Sequence, residues 1–170
     1  MIGAAIGILM LIIVAYLVVG STLSTADQII NTQKEVTQQN EARMRTAINI
    51  SDIEYQTGST NIYLNITNTG NEPISDFEHM DVFLTIPGSN PAKYSYDETT
   101  GTEAAKTWTY SKITLTDGLT NEVIHPDMLD PGEMMWVHID SFLVNPPVSG
   151  SFTSVSTPNG VTSSYTVSIR

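Results

Sequence analysis

The first 26 residues carry no charge. Asp27 is the first charged side chain, and the segment before it reads MIGAAIGILMLIIVAYLVVGSTLSTA. It is almost unbroken apolar from Met1 to Val19 and continues through small residues to Leu23. About 20 apolar residues in a row is what a helix needs to cross the hydrocarbon core of a bilayer. The run is apolar on every side rather than along one stripe, so its natural media are lipid or the middle of a bundle of other helices. A secretory signal peptide fits poorly, because no Lys or Arg precedes the run and its length exceeds an ordinary h-region. The flanking positive charges that usually orient a membrane helix are also absent on that side. The expectation is that a basic leader has been removed ahead of Met1; insertion by other means is the alternative.

From Ser24 to Asn49 the chain contains neither Gly nor Pro. Ile29, Val36 and Met44, with Ile30, Ala47 and Ile48, recur at roughly helical spacing among Lys34, Glu35, Gln38, Gln39, Glu41 and Arg45. That pattern predicts an amphipathic continuation of the helix, although Ser24 or Thr25 could cap a separate second one. A single helix from residue 2 to 48 would be roughly 70 Å long at ~1.5 Å per residue. No compact domain of this size needs such a rod, which therefore requires partners. Gly3 and Gly7 form a GxxxG spacing, supported by Ala4, Ala5 and Ala15. Such spacing permits close helix–helix approach, but Gly is also simply frequent in membrane helices.

The charge is as unevenly placed as the apolar surface. The chain has 18 acidic and 7 basic residues and a formal charge of −11. Asp27, Glu35 and Glu41 balance Lys34, Arg43 and Arg45 in residues 1–50, so the whole negative charge falls on residues 51–170, whose only bases are Lys93, Lys106, Lys112 and Arg170. An acidic balance argues against a binder of phosphate backbones, so no nucleic-acid partner is expected. The absence of cysteine excludes a disulfide scaffold, a thiolate zinc site and a cysteine nucleophile.

After Ile50 the texture becomes short β-type runs punctuated by turn residues. Ile50–Gln56, Asn61–Asn68, Asp81–Ile86, Lys106–Leu115, Met134–Ile139, Ser151–Ser156 and Ser163–Ile169 make about seven strands. Each is bounded by Gly, Pro, Asn or Asp, as in Pro87-Gly88, Asp117-Gly118, Asp130-Pro131-Gly132 and Pro158-Asn159-Gly160. Regular short strands without intervening helical patterns predict an antiparallel, immunoglobulin-like sandwich, so the fold class is α+β: a long hydrophobic helix and one β head. The domains are 1–49, hydrophobic over 1–23 and an amphipathic stalk over 24–49, and 50–170. Trp108, Trp136, Phe83, Phe142 and Tyr63 are expected as the large core residues, with Ser and Thr on the outer faces.

Chemistry is sparse. His125 with Asp127, and His79 with Glu78 and Asp81, set imidazoles beside carboxylates, but no metalloprotease, nucleophile-elbow or phosphate-loop motif accompanies them. The chain is expected not to be an enzyme and to need no cofactor; an exported enzyme would have to depend on His125 or His138. The loop around Asp127, Asp130 and Glu133 offers oxygen ligands of the kind calcium takes, without EF-hand spacing. Two sequons, Asn49-Ile50-Ser51 and Asn65-Ile66-Thr67, are candidate N-glycosylation sites if the head lies outside the cell. Asn65 is expected on the polar side of its strand, Asn49 in a more crowded position.

The layout, a charge-free N-terminal helix running into a stalk and one Ser/Thr-rich β-domain, resembles archaellins and, more broadly, the archaeal type IV pilin superfamily. The head adds local likeness in Leu64-Asn65-Ile66-Thr67-Asn68-Thr69-Gly70, in Phe77 through Asp81-Val82-Phe83, in Leu129-Asp130-Pro131-Gly132-Glu133 and in Ser156-Thr157-Pro158-Asn159-Gly160-Val161. Ala5 stands where a bacterial type IV pilin has Glu, so the resemblance is to the archaeal branch. It implies a subunit held in the membrane before assembly, handled by the archaellum assembly machinery, and built into an extracellular helical homopolymer that supports motility. Ile2, Ile6, Leu9, Ile13, Leu17, Val36 and Met44 would pack in its core and the β-domains would form its outer layer. Membrane-anchored archaellum accessory proteins that bind the cell envelope, and adhesion pilins, share the layout and are the alternatives.

Overall fold

The computed structural model describes residues 2–55, 61–98, 106–140 and 150–166. The chain divides into two compact units, Met1–Glu41 and Ala42–Arg170. Helix α1 runs without a break over Ile2–Arg45. Ser24 and Thr25 do not start a new helix: the Thr25 hydroxyl donates to the Ser21 carbonyl at 2.9 Å, and Thr22, Thr32 and Thr37 likewise bond back three or four residues. A hydroxyl satisfied within the preceding turn has no need of a cap position. The last turn holds Arg43 and Arg45, favourable at the negative end of the helix dipole.

The helix ends at Arg45 rather than at residue 48, and the carbonyl of its last residue and that of Ala47 just beyond are taken by the head. The amides of Thr69 and Gly70 donate to Ala47 O, and that of Asn71 to Arg45 O at 2.8 Å. Gly70 is needed there: a Cβ would lie 2.5 Å from both Ala47 N and Arg45 O.

Eight strands follow among the described residues: β1 (Ile48–Tyr55), β2 (Asn61–Asn68), β3 (Asp81–Thr85), β4 (Ala92–Tyr96), β5 (Thr107–Thr114), β6 (Met134–Asp140), β7 (Phe152–Ser156) and β8 (Thr162–Thr166). They hydrogen-bond in the order β1-β2-β6-β5-β4-β3-β7-β8. Ile50 N donates to Ser163 Oγ at 3.3 Å, which joins the first strand to the last. Two points correct the sequence reading. Strand β4, AKYSY, is additional: only Tyr94 in it is buried, and Ala, Lys and Ser are weak strand formers. It also pairs in parallel with β5, through Ser95↔Thr107 and Tyr96↔Trp108, whereas every other neighbouring pair is antiparallel. Alternation of apolar and polar residues is the same in both cases, so no signal of direction lies in the pattern.

The core of the head is mainly aliphatic. Ile62, Leu64 and Ile66 of β2 interleave with Met135, Val137 and Ile139 of β6, Val82 and Leu84 of β3 and Val155 of β7, with Met80, Leu129, Tyr94 and Trp108 filling the larger gaps. Trp108 is buried as expected, but Phe83 is exposed and Trp136 and Tyr63 are half-buried on the outer face. The reason is register: the aliphatics flanking each ring point inward, and a strand has only two faces. Phe142 lies outside the described residues. Hydroxyl residues are not confined to the surface either, since Thr114, Ser151, Thr153 and Thr157 are buried.

Candidate functional site

The most extensive unsatisfied surface is the first unit. Its helix contains an 18-residue window of mean hydropathy 2.6, none of it buried. Ile6, Leu9, Ile13 and Leu17 are all about half exposed or more, and so are Ile8, Leu11 and Ile12 between them. The apolar surface therefore encircles the helix instead of forming one stripe. Ile2 is helical, but its side chain lies outside the description. No atom comes within 4 Å of where a Cβ would stand on Gly3 or Gly7, so both present open backbone to a neighbour. Further along, Val36 is exposed, and Met44 on the last turn is 86% exposed.

The head adds a surface that the sequence reading did not single out. The β5–β6 connection carries Leu119, Val123 and Ile124, all at least 80% exposed. Hydrogen bonds fix the loop that holds them: the Asp117 carboxylate accepts from the amides of Leu119 and Thr120 and from the Thr120 hydroxyl, and Glu122 accepts from the amides of Ile124 and His125. An apolar group in a turn-rich segment without alternation was the available signal.

The groups considered for catalysis or metal binding are otherwise engaged. His79 bonds Asp76 at 2.8 Å, not the neighbouring Glu78 or Asp81, and His125 bonds Asp130 at 2.9 Å; these hydrogen bonds raise both imidazoles above their ordinary 6.5. His138 stacks on Tyr63 with centroids 5.0 Å apart. Asp127 accepts from the Tyr110 hydroxyl, and Glu133 accepts from the Asp130 amide at 2.8 Å. Burial, followed by its hydrogen bond with Glu122, pushes the Glu133 carboxyl up to about 7. The same side-chain bond, with the amides of His125 and Ile124, holds Glu122 down at about 2. Asp127 thus bonds to β5, while Asp130 and Glu133 bond within the loop, and among the described residues no three His, Asp or Glu are grouped to hold a metal ion.

Both sequons lie on the outer face of the β1–β2 ladder. Asn49 is exposed on β1 and Asn65 is half-buried on β2, so Asn49 is the less crowded of the two.

Residues 1–167 match the family model described as archaeal-type flagellin. A protein of Archaeoglobus fulgidus, described only as uncharacterized, is 25% identical over 160 residues, which is 94% of this chain and 88% of the relative. Among solved structures, the archaeal flagellum of Methanospirillum hungatei strain JF1 is similar in fold, with a TM-score of 0.60 at 16% identity over 99% of this chain and 92% of that one. The archaellum periplasmic stator protein FlaG from Sulfolobus acidocaldarius aligns at 21% identity over 72% of this chain and 99% of that one, with a TM-score of 0.49.

Proposed function

Because the chain belongs to the archaeal-type flagellin family, we propose that it is a structural subunit of an archaellum, a helical filament on the archaeal cell surface that supports motility. The observation that carries this reading is that one flagellin family model spans residues 1–167, helix and head alike. The exposed apolar helix gives it a physical basis. Residues 1–23 hold the subunit in the membrane before the assembly machinery acts, and on assembly they exchange lipid for the helices of other copies. Ile2, Ile6, Leu9, Ile13 and Leu17 pack in that core, and the stalk, residues 24–49, extends the packing through Val36 and Met44. Contacts of this kind are head-to-tail and do not close, which makes an open helical polymer. Residues 50–170 form the outer layer, as an immunoglobulin-like sandwich folded about β4, the strand that pairs with both β3 and β5. The role needs neither a catalytic group nor a cofactor.

A membrane-anchored accessory protein, or an adhesion pilin, shares the layout, but no feature of the molecule favours either. The stalk separates these readings. A tether tolerates charge on its exposed positions, whereas a packed stalk does not. Replacing both Val36 and Met44 by Lys is expected to abolish filaments seen by electron microscopy while the subunit remains in the membrane fraction. Unchanged filaments would overturn the packing role.

A further inference from the structure

The apolar residues of the β5–β6 connection stand at one particular end of the head. Strand β5 leaves its ladder at Thr114, opposite Met134, and Met134 is level with Thr67 of β2. Asn68, the next residue, pairs with Ile48, where the chain enters the sheet from α1, and its amide donates to Glu133 O at 2.9 Å. The connection therefore lies at the helix-bearing end of the sheet, with Leu119, Val123 and Ile124 bare to solvent. Met44, on the last turn of α1, is bare at that same end. The loop is pinned: Asn121 bridges back to Thr114, the Glu122 amide donates to Ile113 O, and the Asp117 and Glu122 carboxylates hold the amides of Leu119, Ile124 and His125. Three aliphatic side chains held out in water on one pinned loop mark an interaction surface.

Charge and length choose the occupant. Residues 115–133 hold Asp117, Glu122, Asp127, Asp130 and Glu133 but no Lys or Arg, and each head carries the full −11, so a second head is repelled. Lipid is too far away, because about 20 residues, ~30 Å of helix, separate Leu23 from Met44. A stalk suits both the apolar and the acidic character of the loop. Residues 24–49 are neutral overall, and Ile30 and Lys34, one turn apart, share a helix face. Both are exposed, and Lys34 makes no ion pair among the described residues. The positions one turn beyond it, Thr37 and Gln38, are uncharged. We propose that the β5–β6 connection of one copy docks on the stalk of a second copy, its three aliphatic residues covering Ile30 and its carboxylates facing Lys34. This inference rests on the subunit reading above. The stalk then has two uses: Val36 packs against other helices, while Ile30, about 120° round the helix from it, receives a head. That contact sets where each head sits on the core.

The chain has no cysteine of its own, so introduced pairs report without background. Full-length chain carrying both Val123→Cys and Ile30→Cys is produced in its own cells, and the sheared filaments are treated with a short bismaleimide. A ladder of linked multimers is expected on denaturing gels from the double variant and from neither single one. Dimers of Val123→Cys alone would put a second head on the loop, a linked monomer would put the chain's own stalk there, and intact filaments without links would leave the stalk bare; each result overturns the proposal. Stronger linking of Val123→Cys to Val36→Cys than to Ile30→Cys overturns the assigned face. Protection of Val123→Cys from a water-soluble maleimide in the membrane fraction would place lipid on the loop and overturn it too. Val123→Asp and Lys34→Glu should each lower filament yield about tenfold, the scale of one side chain lost from an apolar or charged contact, while the urea midpoint of the head stays unchanged. Lys34→Arg should keep the yield, and full yield from Val123→Asp contradicts the docking. Unlinked filaments refute this inference alone, whereas absence of filaments from wild-type cells refutes the subunit reading itself.

Discussion

Glu133 has more influence on the head than its place in a turn implies. It is 5% exposed and accepts the Asp130 amide, and burial places its pKa at about 7, above the ordinary 4.5. The proton is therefore bound more tightly in the folded state, so the stability contributed is full below about pH 4.5 and is lost as pH rises through about 7. His125, raised above 6.5 by Asp130, acts in the same direction, and its contribution is lost as pH climbs through its folded value. Glu122, held at about 2, works oppositely: its contribution is present above 4.5 and disappears toward pH 2. The urea midpoint of the head is expected to fall between pH 5.5 and 8, and Glu133→Gln should remove most of that fall. An unchanged pH slope in the variant would contradict the assignment. None of this was legible in the sequence, where Glu133 was one oxygen donor among three in a loop. The rings of Tyr63 and Trp136 were misread for a related reason: size favours burial, but the facing of a strand is decided by all its aliphatics together.

Among the elements, the helix was the most legible. Forty-four residues without proline and without charge in the first half leave little alternative to one long helix, and only the second start at Ser24 or Thr25 proved superfluous. The strand at Asn61–Asn68 was equally plain, because Ile62, Leu64 and Ile66 alternate strictly. Strand β4 was not, since Tyr94 is its one fully buried residue and its flanking Ala92 and Tyr96 are only partly buried, which leaves a weak periodic trace. The join between helix and sheet was also invisible. It depends on Gly70, which reads as one more turn glycine. Its backbone reaches the last carbonyls of the helix so closely that a methyl group does not fit. Gly70→Ala is expected to destabilise the head by about 1–3 kcal/mol, the usual cost of overpacking, measured by urea denaturation. A loss below ~0.5 kcal/mol, the size of an ordinary surface substitution, would mean that the close approach is not fixed.

At the scale of the whole molecule, one chain holds two surfaces that suit opposite surroundings. The charge-free first half of the helix is exposed, and residues 51–170 bear the entire net charge of −11. Each large apolar side chain on the helix gains roughly 1.5–3 kcal/mol on leaving water, so the subunit in water would aggregate and an assembled core would not dissolve. If lipid holds the helix before assembly, as proposed, the hydrophobic gain vanishes and packing alone decides between the membrane and the filament. Small residues such as Gly3 and Gly7 would matter in that comparison, because close approach is what lipid cannot match. Acidic heads on the outside repel those of adjacent filaments and keep them apart. The sequence made this polarity plain; the surface at Leu119, Val123 and Ile124 needed the fold. The most direct test of the subunit reading is to shear filaments from the cell surface, image them by negative-stain electron microscopy, and identify their main protein by mass spectrometry. This chain is expected to be the principal component along the fibre; its absence from the fibres, with recovery in the membrane fraction, would contradict the account.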